Sequence, residues 1–328
     1  MSDLSSSLTR LLAPVEDGME RMRALLVEQL QSGSPAVCDM TAHVSRFRGK
    51  QLRAGLVLLS GEATGNTTDE HASVAAIVEM IHLATLVHDD VIDGAEVRRR
   101  MAAVHRRWDN QVAVLLGDFL YARAFALSTE LSSRLCSRLL SDTTRRICEG
   151  EIDQSASRYD FEMSQELYES IAGAKTAALY GAACELGARY PGGNDELGEH
   201  MRCFGYELGL GFQIVDDCLD LTGTQEVVGK SVGTDVADGK VTLPVLHVYS
   251  QADERTRARI KDAYTLPDLE DRVGRLAEVC ALEPGIQYAM GRARSLIERA
   301  FARVAELPQT PARASLEELG SFVLSRNW

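Results

Sequence analysis

An all-helical fold is what this sequence predicts, on three observations. Apolar positions recur every three or four residues along most of the chain. Only eight prolines interrupt 328 residues. No stretch alternates apolar and polar residues as a half-buried strand would. Residues 72–88, ASVAAIVEMIHLATLVH, run far longer than a strand, with polar positions spaced at helical intervals. The same pattern predicts helices over 4–30, 51–63, 112–133, 136–155, 164–188, 196–221, 242–249, 267–280, 284–305 and 314–326. Turn-forming clusters separate them at GSPAV (33–37), TGNTTDE (64–70), YPGGND (190–195), TGTQEVVGKSVGTDVADGK (222–240) and LPQTPA (307–312). With no tandem repeat and no shift of composition to mark a linker, the expectation is one domain over 1–328.

Hydrophobic residues at 45% and charged residues at 25% fit a globular protein. A formal charge of −13 excludes nucleic acid as the main partner, so an anionic ligand must be met by local positive charge. The seven cysteines are scattered, odd in number and without a C-x-x-C pair, which predicts reduced thiols. No basic-then-apolar leader opens the sequence, and no uncharged apolar run reaches span length, which predicts a soluble, cytoplasmic protein. The long 222–240 connection carries Gly223, Gly229, Gly233 and Gly239 with Lys230 and Lys240. Length alone leaves filler and lid both open.

The chemistry concentrates in two acidic motifs. LVHDDVIDGAEVRRR (86–100) presses Asp89, Asp90 and Asp93 together at the end of an apolar helix and follows them with Arg98, Arg99 and Arg100. QIVDDCLD repeats the D-D-x-x-D pattern with Asp216, Asp217 and Asp220. Residues i and i+4 share a helical face while i+1 is turned away by about 100°. Asp89 and Asp93 therefore point together, on a stripe with His82 and Thr85, and the second stripe is Gly209, Gln213, Asp216, Asp220. Like charges on one face, at the negative end of a helix, destabilise it unless a cation compensates. Carboxylate oxygens without Cys or His suit Mg²⁺. Two such pairs look like a clamp for a diphosphate bridged by Mg²⁺. A single copy would read equally well as a solvated helix end; two copies, each followed by basic residues, favour binding. Gly205, Gly209 and Gly211 each weaken their helix by roughly 1 kcal/mol relative to Ala, which predicts close approach of a helix or ligand there.

At these residues the chain resembles the trans-isoprenyl diphosphate synthases (polyprenyl synthetases). HDDVID with its following arginines is similar to the first aspartate-rich motif, and GFQIVDDCLDLTG to the second. RGKQLRA (48–54) resembles the G-G-K-R-x-R-P motif, AKTAAL (174–179) the K-T motif, and GKSVGTDVADGKVTLPVL (229–246) the lysine-bearing loop; GEIDQ (150–154) and SFVLSRNW also fit. The resemblance spans nearly the whole chain in order. It implies an all-α single-domain helical bundle around a deep central cavity, in a homodimer that joins isopentenyl diphosphate head-to-tail to an allylic diphosphate. It further implies that Asp89, Asp93 and Asp216 ligate about three Mg²⁺ ions with diphosphate bound, supported by Asp90, Asp217 and Asp220. Arg98, Lys175, Thr176, Gln213, Lys230 and Lys240 would meet the allylic diphosphate. Gly49, Lys50, Arg53, His82 and Arg99 would hold isopentenyl diphosphate. The chain departs from the pattern at Arg48, Gln51 and Ala54, which replace a glycine, an arginine and a proline, and at Arg100, which replaces a glycine.

Ala84 and Thr85, one turn before Asp89, are small, and the resemblance implies that an aromatic residue at these positions would stop a growing prenyl tail early. Elongation is predicted to continue toward Ile81, Val78 and Ile77, with deeper stops from Tyr121 or Phe125, giving a medium- to long-chain product. The rivals are a short-chain geranylgeranyl or farnesyl diphosphate synthase, a terpene cyclase or head-to-head synthase, and a subunit that needs a partner chain. A cyclase has no use for the Lys50, Arg53, Arg99 set, and non-catalytic subunits tend to lose aspartates that this chain keeps.

Overall fold

The computed structural model describes residues 8–47, 49–99, 101–222, 233–266, 269 and 271–325. Its helices of eight residues or more are α1 (Glu16–Gln29), α2 (Pro35–Val44), α3 (Leu52–Thr64), α4 (His71–Ile92), α5 (Asn110–Glu130), α6 (Leu135–Ala156), α7 (Gln165–Ala172), α8 (Ala178–Arg189) and α9 (Asp195–Thr222). After them come α10 (Leu243–Gln251), α11 (Glu254–Thr265), α12 (Arg272–Val279), α13 (Glu283–Val304) and α14 (Pro311–Leu324). The all-helical expectation holds with one exception. An antiparallel hairpin pairs β1 (Val97–Arg98) with β2 (Met101–Ala102), placing Val97 opposite Ala102 and Arg98 opposite Met101. Two residues per strand are too few to show an alternating pattern.

Three other features escaped the periodicity. Pro35, read as part of a break, stands at the start of α2, where a helix needs no N–H. The sequence of α11, ERTRARIKDAYT, is so charged that its apolar face is thin; its start is fixed by Asp253, whose side chain accepts from Thr256 N. The predicted helix over 164–188 is divided by a π-helical turn at Gly173–Ala177.

The chain folds as two compact units. One comprises Met1–Thr144, Leu179–Tyr206 and Ala300–Gly320; the other comprises Arg145–Ala178, Glu207–Arg299 and Ser321–Trp328. In the first, α4 is the core, packed against α5, α3 and α1. By length and composition alone α4 and α5 would pass for membrane spans, but 72% of the apolar window of α4 lies inside the protein against 39% for α5. Val114 and Leu115 of α5 are exposed. The close approach predicted at Gly205 is present: a Cβ there would overlap the carbonyl oxygen of Tyr180. In the second unit α11 packs on α12, and α10 on α11 and α7.

The start of α4 is tied to the end of α8. Asn66 Nδ2 donates to the carbonyls of Ala188 and Tyr190, at 2.9 and 2.7 Å. His71, 1% exposed, accepts from Thr68 N at Nδ1 (3.0 Å) and donates from Nε2 to Gly187 O (2.9 Å). Burial holds its pKa below the ordinary 6.5. The unfolded chain therefore takes up a proton that the folded chain refuses, so this contribution to stability is complete above about pH 6.5 and declines as pH falls below it. Urea midpoints are predicted to drop between about pH 7.5 and about pH 5.5, with a shallower drop in His71→Gln. Equal slopes in the two proteins would contradict this.

Candidate active site

The first acidic motif closes α4. Asp93 is its C-cap residue, with its N–H bonded to Asp89 O at 2.8 Å. Asp89 and Asp93 are partly exposed, whereas Asp90, turned to the other side, is completely buried. The hairpin explains how a carboxylate tolerates that position. It folds Arg98 back so that Nε (2.8 Å) and Nη2 both donate to Asp90 Oδ1. Asp90 Oδ2 is buried without a hydrogen-bond partner. Burial alone would lower the Arg98 pKa; Asp90, then Asp89 and Asp93, outweigh it and raise the value. Asp90, grouped with the metal ligands on sequence, gives one of its oxygens to an arginine.

The residues expected around isopentenyl diphosphate converge in the same unit. Arg99 occupies the left-handed region (φ 50°) in the β1–β2 turn, and a Cβ on Gly49 would overlap its guanidinium. Glycine at position 49 leaves the space that the guanidinium occupies. Arg53 stacks over Tyr180, 4.5 Å from the ring centroid, and its Nη1 lies 3.1 Å from His82 Nε2. Arginine has no acceptor to offer, so Nε2 accepts and the imidazole proton resides on Nδ1. Burial, then Arg53, Arg99 and Arg98, hold the His82 pKa well below 6.5, and the ring is neutral. Arg53 Nε is buried without a partner, and Lys50 is exposed. The cluster offers guanidinium donors at fixed spacing, the chemistry that recognises phosphate oxygens.

The second acidic motif ends α9, in the other unit. Asp216 is partly exposed while Asp217 and Asp220 are buried. Asp217 accepts from Tyr168 OH (2.5 Å) and from Gln213 Nε2 (2.6 Å), and Gln213 Oε1 accepts from Thr176 Oγ1 (2.8 Å). Burial, then the charge of Asp217, push the Tyr168 hydroxyl well above its usual pKa, so it remains a donor. Asp220 accepts from Thr234 Oγ1 (3.1 Å) and Asp235 N (3.0 Å), tying that segment to the end of α9. Lys175 stands on the π-helical turn, with Nζ 2.5 Å from Glu151 and 2.8 Å from Gln154 Oε1. Lys240 Nζ donates to Asp238 at 3.2 Å. Lys230, Arg48 and Arg100 lie outside the described residues.

Sequence reasoning missed Glu79, Tyr168 and Tyr180. Glu79 left a signal, a lone carboxylate in the apolar run of α4, but the two tyrosines left none. Of the pocket residues, Ile77, Val78, Ile81 and Ala84 are fully buried on α4, and Thr85 is half-buried with its hydroxyl donating to His82 O. Tyr121 and Phe125 stack on α5 at 6.5 Å. His88, alongside, donates to Val114 O at 3.0 Å over Gly117.

Among the described residues no three His, Cys, Asp or Glu side chains converge as a ready-made metal cage. The carboxylate-only donors Asp89 and Asp93 nevertheless fit Mg²⁺, which takes one or two carboxylates and completes its shell with water and phosphate. The Asp90–Arg98 pair yields a prediction that needs no ligand. Removing one partner of a buried ion pair leaves a buried charge, so Asp90→Ala should cost about 3–5 kcal/mol and Asp90→Asn less. Urea unfolding checks this; a loss of under about 1 kcal/mol in the alanine variant would contradict it.

Residues 34–281 match the family model for Polyprenyl synthetase. The chain is 35% identical to the all-trans-nonaprenyl-diphosphate synthase (geranyl-diphosphate specific) of Rhodobacter capsulatus, covering 96% of this chain and 97% of that protein. It is 32% identical to heptaprenyl diphosphate synthase component 2 of Bacillus subtilis, covering 96% of this chain and 89% of that protein. The crystal structure of a Caulobacter crescentus polyprenyl synthase complexed with calcium and isoprenyl diphosphate superposes with a TM-score of 0.92, at 35% identity and 97% coverage of both chains. This chain belongs to the polyprenyl synthetase family.

Proposed function

We propose that this chain condenses isopentenyl diphosphate head-to-tail with an allylic prenyl diphosphate, giving an all-trans medium- to long-chain polyprenyl diphosphate. The observation that carries the reading is that two acidic motifs accompany a separate cluster of arginines around a neutral histidine. One substrate must lose its diphosphate and the other must keep it, so the two need different chemistry. Asp89, Asp93 and Asp216 would hold Mg²⁺, about three ions with diphosphate bound, and the metal would supply positive charge to neutralise the departing diphosphate. Calcium in the Caulobacter relative supports divalent-metal use.

Arg98, Lys175, Thr176, Gln213, Lys230 and Lys240 orient the allylic diphosphate. Buried Asp90 and Asp217 act one step behind, holding Arg98 and Gln213 in place. On the other substrate, Gly49, Lys50, Arg53, His82 and Arg99 grip the retained diphosphate. A neutral His82 donates through Nδ1 without adding to the crowded positive charge. The double bond attacks the allylic cation, and the departing diphosphate accepts the proton released from the new bond, so no side-chain base is required. Apolar walls keep water from quenching the cation.

Small side chains at Ala84 and Thr85, above the apolar run Ile81, Val78 and Ile77, support a long product. Incubation with farnesyl and labelled isopentenyl diphosphates should yield alcohols longer than geranylgeraniol after dephosphorylation. Ala84→Phe or Thr85→Phe should shorten them to geranylgeraniol or less. A wild-type product no longer than geranylgeraniol would overturn the chain-length reading.

The exposed Val114 and Leu115 on α5, an apolar helix with 39% of its apolar window buried, support assembly with a second copy of the chain. The Bacillus relative's designation as a component favours a second reading, a partner chain on that face. Sedimentation of the active protein separates the two. The seven free thiols support a cytoplasmic location, and the continuous family match supports a single functional domain.

A further inference from the structure

The chain departs from the family motif at Gln51 and Ala54, on either side of Leu52 and Arg53, and Ala54 stands where the motif has proline with its fixed φ. Gln51 adopts the left-handed conformation (φ 49°, ψ 37°) and makes no side-chain cap to α3. Its Oε1 instead accepts from Arg23 Nε at 3.0 Å, and Arg23 is itself held by Glu16 at 2.6 Å. The first turn of α3 receives its cap from another helix. Ala54 N donates to Glu79 Oε1 at 3.1 Å, and Glu79 is 5% exposed. A carboxylate at a helix N-terminus is favoured by the dipole and satisfies an otherwise orphaned N–H. Proline has no N–H, so this bond exists only because Ala54 stands where the motif has proline.

Glu79 and His82 lie one turn apart on the same face of α4 and engage consecutive residues of α3. Glu79 receives the N–H of Ala54, and His82 receives the guanidinium of Arg53. One end of the turn is held through Gln51 and the other through Glu79, and between them Arg53 reaches His82 and Tyr180. We propose that Glu79 is a positioning residue for isopentenyl diphosphate, capping α3 through the Ala54 N–H so that Arg53 is preset to receive the retained diphosphate. This rests on the assignment of Arg53, His82 and Arg99 to that substrate.

The test is steady-state kinetics with both substrates on a double-mutant cycle. Glu79→Leu should raise KM for isopentenyl diphosphate about tenfold or more, with kcat and the KM for the allylic primer within about threefold of wild type, which a merely structural role would not produce. Glu79→Gln keeps an oxygen acceptor and should hold KM within about threefold of wild type. In an Ala54→Pro background, where the donor is already gone, Glu79→Leu should add less than about threefold. Should Glu79→Leu fail to fold, Ala54→Pro alone decides. Proline fits the first helical turn, and it should raise KM for isopentenyl diphosphate selectively by about threefold or more. Equal loss in the Gln and Leu variants, independent effects in the cycle, or a shift in the primer's KM instead would overturn the proposal. Arg53→Gln separates the two levels. If it too leaves KM for isopentenyl diphosphate unchanged, the substrate assignment fails; if it raises that KM while Glu79→Leu does not, only the role of Glu79 fails.

Discussion

The buried pair between Asp90 and Arg98 is the constraint on which the rest of the first motif depends. A carboxylate with no exposed surface is costly unless it is paired. Here the hairpin returns an arginine to it within eight residues, both donors falling on one oxygen. That pairing consumes one of the three clustered negative charges and fixes the direction of the hairpin. It thereby places Arg99 over Gly49, beside Arg53 and His82. The crowding of like charge at the end of α4 is therefore a division of labour, with one carboxylate turned inward to hold a cation and two left partly exposed.

The second motif repeats this logic with different partners. Its middle aspartate, Asp217, is again buried, but it is satisfied by the Tyr168 hydroxyl and the Gln213 amide. Thr176, Gln213 and Asp217 are linked by consecutive hydrogen bonds. The lysine expected nearby reaches its place through the π-helical turn. Gly150 permits this, since a Cβ there would come within 2.9 Å of Lys175 N. In both motifs the middle aspartate is buried and the surrounding sequence supplies its partners; in the second, Asp220 is buried as well.

The helical period is what made the sequence legible. Asp89 with Asp93 and Asp216 with Asp220 could be placed on shared faces from spacing alone, and the long helices followed from the same repeat. Asp220 shows the limit. Its register was foreseeable, but its engagement by Thr234 and Asp235 depends on where the chain returns after a long connection. Tyr168 and Tyr180 are far in sequence from the groups they touch, so no local pattern could connect them. The hairpin was too short to register, and the charged helix α11 hides its apolar face among arginines. Glu79 was visible as an oddity in α4, yet its meaning required knowing that α3 begins against it.

The two diphosphates are proposed to be held by different chemistry, one through metal and carboxylates and the other through arginines and a neutral histidine. Isothermal titration of isopentenyl diphosphate and of an unreactive allylic thiolodiphosphate, each with Mg²⁺ and with a chelator, tests it most directly. Isopentenyl diphosphate should bind with similar affinity in both conditions, while the allylic analogue should lose most of its affinity without metal. Equal metal dependence for the two ligands would contradict the account.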